Sequence, residues 1–138
     1  MPKIAVSDQE IEKCFEVMSE LRPHLKNEIF INTIREMQAE GFVLAYIENE
    51  QAVIAVAGYR ISTSLYMGKN LYVDDLITSK NHRSQGCGEE MIDWMRGVAK
   101  QNGCGFYHLD SGTHRDQAHK FYFRQGFTIS SYHFVEAL

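Results

Sequence analysis

The sequence contains little proline and little cysteine. The two prolines are Pro2 and Pro23, and the three cysteines are Cys14, Cys87 and Cys104. An odd number of scattered cysteines does not make a disulfide framework. We therefore expect a chain with reduced thiols whose fold rests on its hydrophobic core.

Long apolar runs and an excess of positive charge are also absent. No run approaches the ~18 residues of a membrane span, and the first residues lack the apolar region of a secretory signal. Lys and Arg number 14 against 18 Asp and Glu, which gives a formal net charge of −4. This charge argues against a protein that binds nucleic-acid phosphates. We expect a cytoplasmic protein with no nucleic-acid or membrane partner.

The apolar content is sufficient for one folded domain. Hydrophobic residues make up 44% of the 138 residues and aromatic residues 12%, which excludes a disordered chain. At ~100–200 residues per domain, residues 1–138 form a single domain.

Helical signals occur in four places. Ser7 and Glu10 have the spacing of a capping box, and apolar residues at helical spacing then continue to Leu21, where Pro23 ends the helix. A second helix is predicted from Asn27 to a stop at Gly41. Two more are predicted over 86–101 and 116–125.

β-branched and aromatic residues predict strands over 42–48, 52–61, 71–78, 106–109 and 127–135. Turns at 48–51 and 67–70 make the first three an antiparallel meander. A hairpin cannot join strands separated by a whole helix, so the strands on either side of helix 86–101 pair in parallel. The order predicts an α+β fold: a mixed, mostly antiparallel central sheet with helices on both faces.

A loop with two glycines joins the third strand to helix 86–101. Its residues are Arg83, Ser84, Gln85, Gly86, Cys87 and Gly88. The glycines let the backbone turn tightly, and the helix directs unpaired N–H donors at the same place, which suits a phosphate. The Lys-Ser/Thr of a P-loop and the third glycine of a dinucleotide-binding loop are both missing. Taken alone, Gly-x-Gly is also compatible with an ordinary loop.

The motif Arg-x-x-Gly-x-Gly, after a strand that ends in Asp-Asp-Leu-Ile-Thr, resembles the acetyl-CoA motif of the GNAT superfamily of N-acetyltransferases. The stretch with Ala118, Tyr122, Gly126 and Phe127 resembles that family's second signature. Two departures stand out. Arg115 occupies the position of a usual asparagine, where it could reach a coenzyme phosphate. Only 11 residues follow Phe127, so the last strand is absent, very short or supplied by another chain.

The resemblance implies that acetyl-CoA is the co-substrate. Its pyrophosphate would lie on the N–H groups of residues 84–88, next to Arg83, and its pantetheine arm would pair with the main chain of Leu76, Ile77 and Thr78. A main-chain N–H near Leu76 would stabilise the oxyanion. Tyr122 would protonate the departing thiolate, although it could instead be a core tyrosine with its hydroxyl at the surface.

An amine acceptor must lose a proton before it attacks, because an alkyl ammonium has a pKa near 10. Asp75 and Asp110 are level candidates for the base, with Asp74 behind them. Asp74 and Asp75 are consecutive on one strand and point to opposite faces unless a bulge intervenes. Either could instead pair with Arg60 or Lys80.

Two further chemistries are weighed and set aside. Cys87 lies at a helix N-terminus, where the pKa of a thiol falls, but no base stands beside it in the sequence and we interpret it as a packing residue. His114 and His119 lie roughly 140° apart around a helix, and no Cys-x-x-Cys pair exists. We expect no metal.

The resemblance places Arg22 and His24 where the family walls its acceptor site, so either could hold the carboxylate of an amino-acid-like acceptor. The ten acidic residues of 1–50 would instead favour a polyamine, and both classes are consistent with the sequence. The sequence predicts an N-acetyltransferase that acts on a primary amine by direct transfer. The alternative is a catalytically weak CoA-binding or protein-interaction module of the same fold. An open sheet edge would favour a homodimer.

Overall fold

The computed structural model describes residues 1–138. The strands are β1 (Lys3–Ile4), β2 (Phe42–Glu48), β3 (Val53–Ser64), β4 (Gly68–Thr78) and β5 (Phe106–Leu109). The α-helices are α1 (Asp8–Glu12), α2 (Phe15–Leu21), α3 (Asn27–Ala39), α4 (Cys87–Gln101) and α5 (Asp116–Arg124), and a 3₁₀ turn spans Lys80–His82. No helix has both the length and the apolar character needed to cross a membrane.

The five strands form one sheet in the order β1-β2-β3-β4-β5. The first three pairings are antiparallel, and β4 pairs with β5 in parallel. The predicted fold class is therefore confirmed. The sequence did not predict β1, because a strand of two exposed residues shows no alternation of apolar and polar side chains.

Helices cover both faces of the sheet, and the alternation of side chains along a strand decides which face each residue joins. On one face, Leu44 and Tyr46 pack with residues of α1, α2 and α3. On the other, Ala45 and Ile47 belong to a cluster with Met91, Ile92 and Met95 of α4. The sheet is therefore packed between two hydrophobic cores, and β4 contributes buried side chains to both.

The N-terminal helix begins as predicted but is split in two. The Ser7 hydroxyl accepts from the Glu10 N–H at 3.1 Å, and the Glu10 carboxylate accepts from the Ser7 N–H at 2.9 Å. The prediction of one continuous helix was wrong, because α1 ends at Glu12 and α2 begins at Phe15. The break lets the Lys13 ammonium donate to Glu48 at 2.8 Å while Cys14 is fully buried.

The β3–β4 hairpin is longer than predicted. β3 runs to Ser64, which pairs with Gly68, so the turn consists of residues 65–67 rather than 67–70. Gly68 takes a positive φ of 66° at the start of β4, a conformation that glycine adopts without strain.

A β-bulge interrupts the β3–β4 ladder at the two consecutive aspartates. Gly58 pairs with Asp75 and Tyr59 pairs with Val73, so Asp74 is the extra residue on β4. A bulge bends the strand and redirects its side chains. The Asp74 and Asp75 carboxylates can therefore face the same region although the two residues are consecutive.

β4 and β5 separate beyond the bulge. Their pairing ends with Val73 and Leu109, whereas β4 continues to Thr78. The last five residues of β4 therefore present one edge that no strand of the sheet occupies.

The predicted strand over 127–135 was wrong, because no residue after Arg124 lies in a helix or a strand. The residue types in this segment suit a strand, but strand formation depends on a neighbouring edge. Within one chain the segment pairs with none.

Candidate active site

A small cleft lies where β4 and β5 separate. It holds about 30 Å³ and brings together seven of the residues that the sequence predicted for a site: Arg22, Asp74, Asp75, Leu76, Asp110, Arg115 and Tyr122. Leu21, Val73 and Leu109 complete its walls. α2, β4, β5 and α5 each contribute, so the cleft depends on the whole fold.

Asp75 is the most enclosed of the three carboxylates, with a side chain only 13% exposed. The Arg22 Nε donates to its Oδ1 at 3.0 Å. Burial raises the pKa of Asp75, and the hydrogen bond from Arg22 only partly offsets this. A buried carboxylate with a raised pKa is a better proton acceptor than an exposed one.

Asp74 is engaged by a different arginine. The Arg60 Nε donates to its Oδ2 at 2.9 Å, and the Arg22 Nη2 donates to its main-chain carbonyl at 3.1 Å. This is the ion pair with Arg60 that the sequence offered as the alternative to catalysis. Both consecutive aspartates are thus held by a guanidinium, and Asp75 is the more enclosed of the two.

Asp110, at the end of β5, is half exposed and accepts a hydrogen bond from the Tyr72 hydroxyl at 2.7 Å. Burial and this bond together raise the pKa of Tyr72. Tyr72 was missed in the sequence, because only the parallel register that pairs it with His108 brings it near Asp110.

Tyr122 projects into the cleft from α5. Burial raises the pKa of its hydroxyl, and Arg115 opposes that shift. Its ring meets Phe121 and Phe127 edge to face at 5.4 and 5.9 Å. The ring is thus held by packing while the hydroxyl makes no hydrogen bond to another residue.

The open edge of β4 carries main-chain groups from alternate residues. The Ser79 N–H donates to the Ile54 carbonyl on β3 at 2.8 Å. Since bonded positions alternate along an antiparallel ladder, Ile77 and Asp75 also turn their main-chain groups to β3. Those of Leu76 and Thr78 point to the open edge. Of the three residues predicted to pair with the pantetheine arm, Leu76 and Thr78 therefore have the required direction and Ile77 does not.

The loop before α4 has the backbone that its glycines allow. Gly86 is the N-cap of α4 with a φ of +82°, and no side chain caps the helix. Ser84 also has a positive φ of 67°. A Cβ at Gly88 would lie 3.2 Å from the Phe121 ring and 3.7 Å from the Thr78 hydroxyl. The uncapped helix start therefore lies beside the end of β4.

The structure also shows the surroundings of Arg115, His24 and Cys87, whose roles the sequence had left as predictions. Arg115 is at the N-cap of α5 and lines the acidic cleft, so its contact with a coenzyme phosphate stays a prediction. His24 is exposed and does not line the cleft. Cys87 is buried, and burial raises the pKa of its thiol, the opposite of what a nucleophile needs.

Comparison with known proteins decides the family. The family model described as "Acetyltransferase (GNAT) family" matches residues 8–127. The chain belongs to the GNAT family of acetyltransferases.

This acetyltransferase is similar to the uncharacterized N-acetyltransferase YhdJ of Bacillus subtilis (strain 168), at 34% identity over 134 residues that cover 96% of this chain and 94% of YhdJ. Its fold is similar to that of a transcriptional regulator from Bacillus halodurans C-125, with a TM-score of 0.87, 18% identity and 100% of both chains covered. It is also similar in fold to the aminoglycoside N-acetyltransferase AAC(6')-Iy in complex with CoA, with a TM-score of 0.83, 14% identity, and 100% and 95% coverage.

Proposed function

We propose that this acetyltransferase moves an acetyl group from acetyl-CoA to a primary amine by direct transfer, with both substrates bound together. The observation that carries the proposal is the cleft itself. It sets a buried carboxylate, Asp75, and a tyrosine hydroxyl without a partner, Tyr122, beside the open edge of β4.

The residues around the open edge fit the coenzyme. An amide-bearing arm can add to β4 as a strand does, by pairing with the main chain of Leu76 and Thr78. The uncapped N-terminus of α4 at Gly86 offers N–H groups and a favourable dipole to a diphosphate. The adjacent residues Arg83, Ser84, Gln85, Cys87 and Gly88 would line that part of the site. Acetyl-CoA supplies the acetyl group as a thioester.

Asp75 is the base that the geometry favours over Asp110 and Asp74. It would accept the proton of the incoming ammonium, either directly or through a water. Arg22 holds its Oδ1 at 3.0 Å, and its Oδ2, which makes no hydrogen bond to another residue, would take the proton. Asp75 is the most enclosed of the three carboxylates, and burial raises its pKa.

Two donors would act on the thioester of acetyl-CoA, one by a hydrogen bond to its carbonyl oxygen and one by giving a proton to its sulfur. The Leu76 N–H points out of the ladder and would donate to the carbonyl oxygen as negative charge develops there. The Tyr122 hydroxyl would give its proton to the departing sulfur. With its pKa raised by burial, the hydroxyl is protonated at neutral pH and so carries the proton that the sulfur would take.

The acceptor is a primary amine, and the candidate classes are small amines, amino acids, antibiotics and protein N-termini. Arg22 and Arg115 in the cleft suit an acceptor that also carries an anionic group. The three cysteines are free, consistent with a cytoplasmic enzyme, and a second copy of the chain is a further expected partner. We expect the reaction to need no metal.

The test is release of the CoA thiol from acetyl-CoA in the presence of pooled amines. We expect amine-dependent release that Tyr122→Phe lowers by about 10²–10⁴-fold, the usual contribution of a general acid, with little change in the KM for acetyl-CoA. Tyr66→Phe is the matched control, since Tyr66 is exposed on the β3–β4 turn, and it should keep full activity.

A full-rate Tyr122→Phe variant would remove the proposed acid. A wild-type chain that binds acetyl-CoA but releases no thiol with any amine would favour the alternative of a catalytically weak CoA-binding module. Two observations support this alternative: the cleft is small, and the Arg22–Asp75 pair closes it.

A further inference from the structure

The Tyr122 ring belongs to a motif that ends α5. Gly126 follows the helix with a φ of +93°, and its N–H donates to the Phe123 carbonyl at 3.1 Å. The Phe127 N–H donates to the Tyr122 carbonyl at 3.1 Å. These are the two bonds of a Schellman motif, in which the residue after the glycine frequently packs on the residue whose carbonyl it bonds. The Tyr122 and Phe127 rings make this contact at 5.9 Å, so the position of the Tyr122 ring depends on Phe127.

One side chain of α4 holds this helix end. The Arg96 Nη2 donates to the carbonyl of Gln125, the C-cap of α5, at 2.8 Å. The same guanidinium lies over the Tyr107 ring at 5.7 Å and over the Phe127 ring at 6.0 Å. A cation is favourable at the C-terminus of a helix, and a guanidinium can bond to a carbonyl while it stacks on aromatic rings. Arg96 therefore contacts both the end of α5 and the ring that packs on Tyr122.

Arg96 is itself fixed on a rigid support. It lies about one turn of α4 after Ile92, which is fully buried. The Tyr107 hydroxyl donates to the Ile92 carbonyl at 3.0 Å, and the Tyr107 ring meets the Phe127 ring at 5.1 Å. The Asp93 carboxylate accepts from the Arg96 Nη1 at 2.7 Å. The guanidinium is thus held from several sides, at the place where α4, β5 and the end of α5 meet.

We propose that Arg96 is a positioning residue that sets, through the end of α5 and Phe127, where the Tyr122 hydroxyl lies in the cleft. This role rests on the proposed function, since it takes Tyr122 as the acid. Arg96 lines the groove between α4 and β5 and not the cleft, so it acts on the reaction only through other residues. The Tyr122 hydroxyl makes no hydrogen bond to another residue, so the packing of the ring decides where the hydroxyl lies.

Arg96→Met tests this role in the acetyl-transfer assay. The variant keeps an unbranched side chain but loses the hydrogen bonds and the charge, so the end of α5 and the Phe127 ring are no longer held. A misplacement of about 1 Å can cost on the order of 10²-fold in rate, and we expect kcat to fall by about 10- to 100-fold. The KM for acetyl-CoA should change little, because Arg96 is remote from the open edge of β4 and from the start of α4. Arg96→Lys, which keeps a cation and a donor, should recover part of kcat.

Two variants of α4 are matched controls. Lys100→Met removes a cation one turn further along, from the same groove. Asp93→Asn weakens the ion pair of Arg96 but leaves its bond to the Gln125 carbonyl. Both should keep the wild-type kcat, and circular dichroism verifies that each variant is folded at the assay temperature. An Arg96→Met variant that is folded and works at the full rate would overturn the proposal, and so would an equal loss in Lys100→Met.

Fluorine NMR reports the position of the ring without using the reaction. The chain is labelled with fluorotyrosine, and the signal that disappears in Tyr122→Phe identifies Tyr122. We expect Arg96→Met to shift or broaden this signal and to leave that of Tyr66, on the exposed β3–β4 turn, in place. Lys100→Met should change neither.

The same spectra distinguish failure of this role from failure of the proposed function. A Tyr122 signal that is unchanged in Arg96→Met would refute the positioning role, even in an active enzyme. A signal that moves in a chain with no acetyl transfer to any amine would contradict the proposed function and still support the placement of the Tyr122 ring by Arg96.

Discussion

Gly58→Ala tests whether the bulge and the aspartate cleft are packed as described. Gly58 lies opposite Asp75 in the β3–β4 ladder. A Cβ at this position would overlap the Phe42 ring and lie 3.0 Å from the Asp75 Oδ2. Phe42 is buried in the core at 3% exposure, and the Arg60 guanidinium lies over its ring at 5.5 Å. The ring therefore has little room to move away.

The expected cost follows from this overlap. One methyl forced into a packed site destabilises a protein by about 1–3 kcal/mol. For a chain of this size each kcal/mol lowers the Tm by roughly 3–5 °C, so we expect a fall of about 3–15 °C in a thermal melt. Activity should fall as well, because the methyl pushes the Asp75 carboxylate.

Two companion variants make the prediction specific. Phe42→Leu should relieve part of the cost of Gly58→Ala, with a coupling of about 1 kcal/mol in a double-mutant cycle. Gly97→Ala is the control, since Gly97 is inside α4 with nothing within 4 Å of its added Cβ, and it should stabilise by about 0.5–1 kcal/mol. A Gly58→Ala variant as stable as the wild type, or one without coupling to Phe42, would refute this account of the packing.

Two further predictions concern pH. The raised pKa of Asp75 means that the folded chain binds this proton more tightly than the unfolded chain, so stability from this group falls as pH rises above its ordinary value of 3.8. Asp75→Asn, which mimics the protonated form, should abolish activity yet melt at a higher Tm than the wild type at pH 7; a lower Tm contradicts the assigned cause. Hydrogen bonds from the Ser7 and Val6 N–H groups lower the pKa of Glu10 from 4.5 to about 2, so its contribution is present above pH 4.5 and is lost toward pH 2. Glu10→Gln should lower the Tm at pH 7, by a margin that shrinks as the pH falls to 2; a constant margin would refute the ionic part of the cap.

The parts of the fold that the sequence predicted depend on local chemistry. The capping box at Ser7 and Glu10 and the stop at Gly41 place helix ends by interactions within four residues. The start of α4 beside Gly86 follows from the same short-range preferences. The parallel pairing of β4 with β5 followed from topology, because an intervening helix excludes a hairpin.

The parts that were missed depend on distant partners. Arg22 and Asp75 are 53 residues apart in the sequence, and Tyr72 and Asp110 are 38 apart. The packing of α2 on β4 joins the first pair, and the parallel register of β4 on β5 joins the second. Both depend on elements that are distant in the sequence, so no short motif identifies the partners. The bulge at Asp74 has the same origin. The strand predicted over 127–135 has the right residue types but pairs with no edge of its own chain.

The most direct measurement of the central claim is a titration of the backbone amide signals of the chain with acetyl-CoA by NMR. If the coenzyme pairs with the open edge of β4 and rests on the start of α4, the amide signals of Leu76, Thr78 and residues 86–89 shift together and saturate. The signals of the β3–β4 turn at 65–67 stay in place. No shift at millimolar acetyl-CoA, or shifts confined to residues far from β4 and α4, would contradict the account.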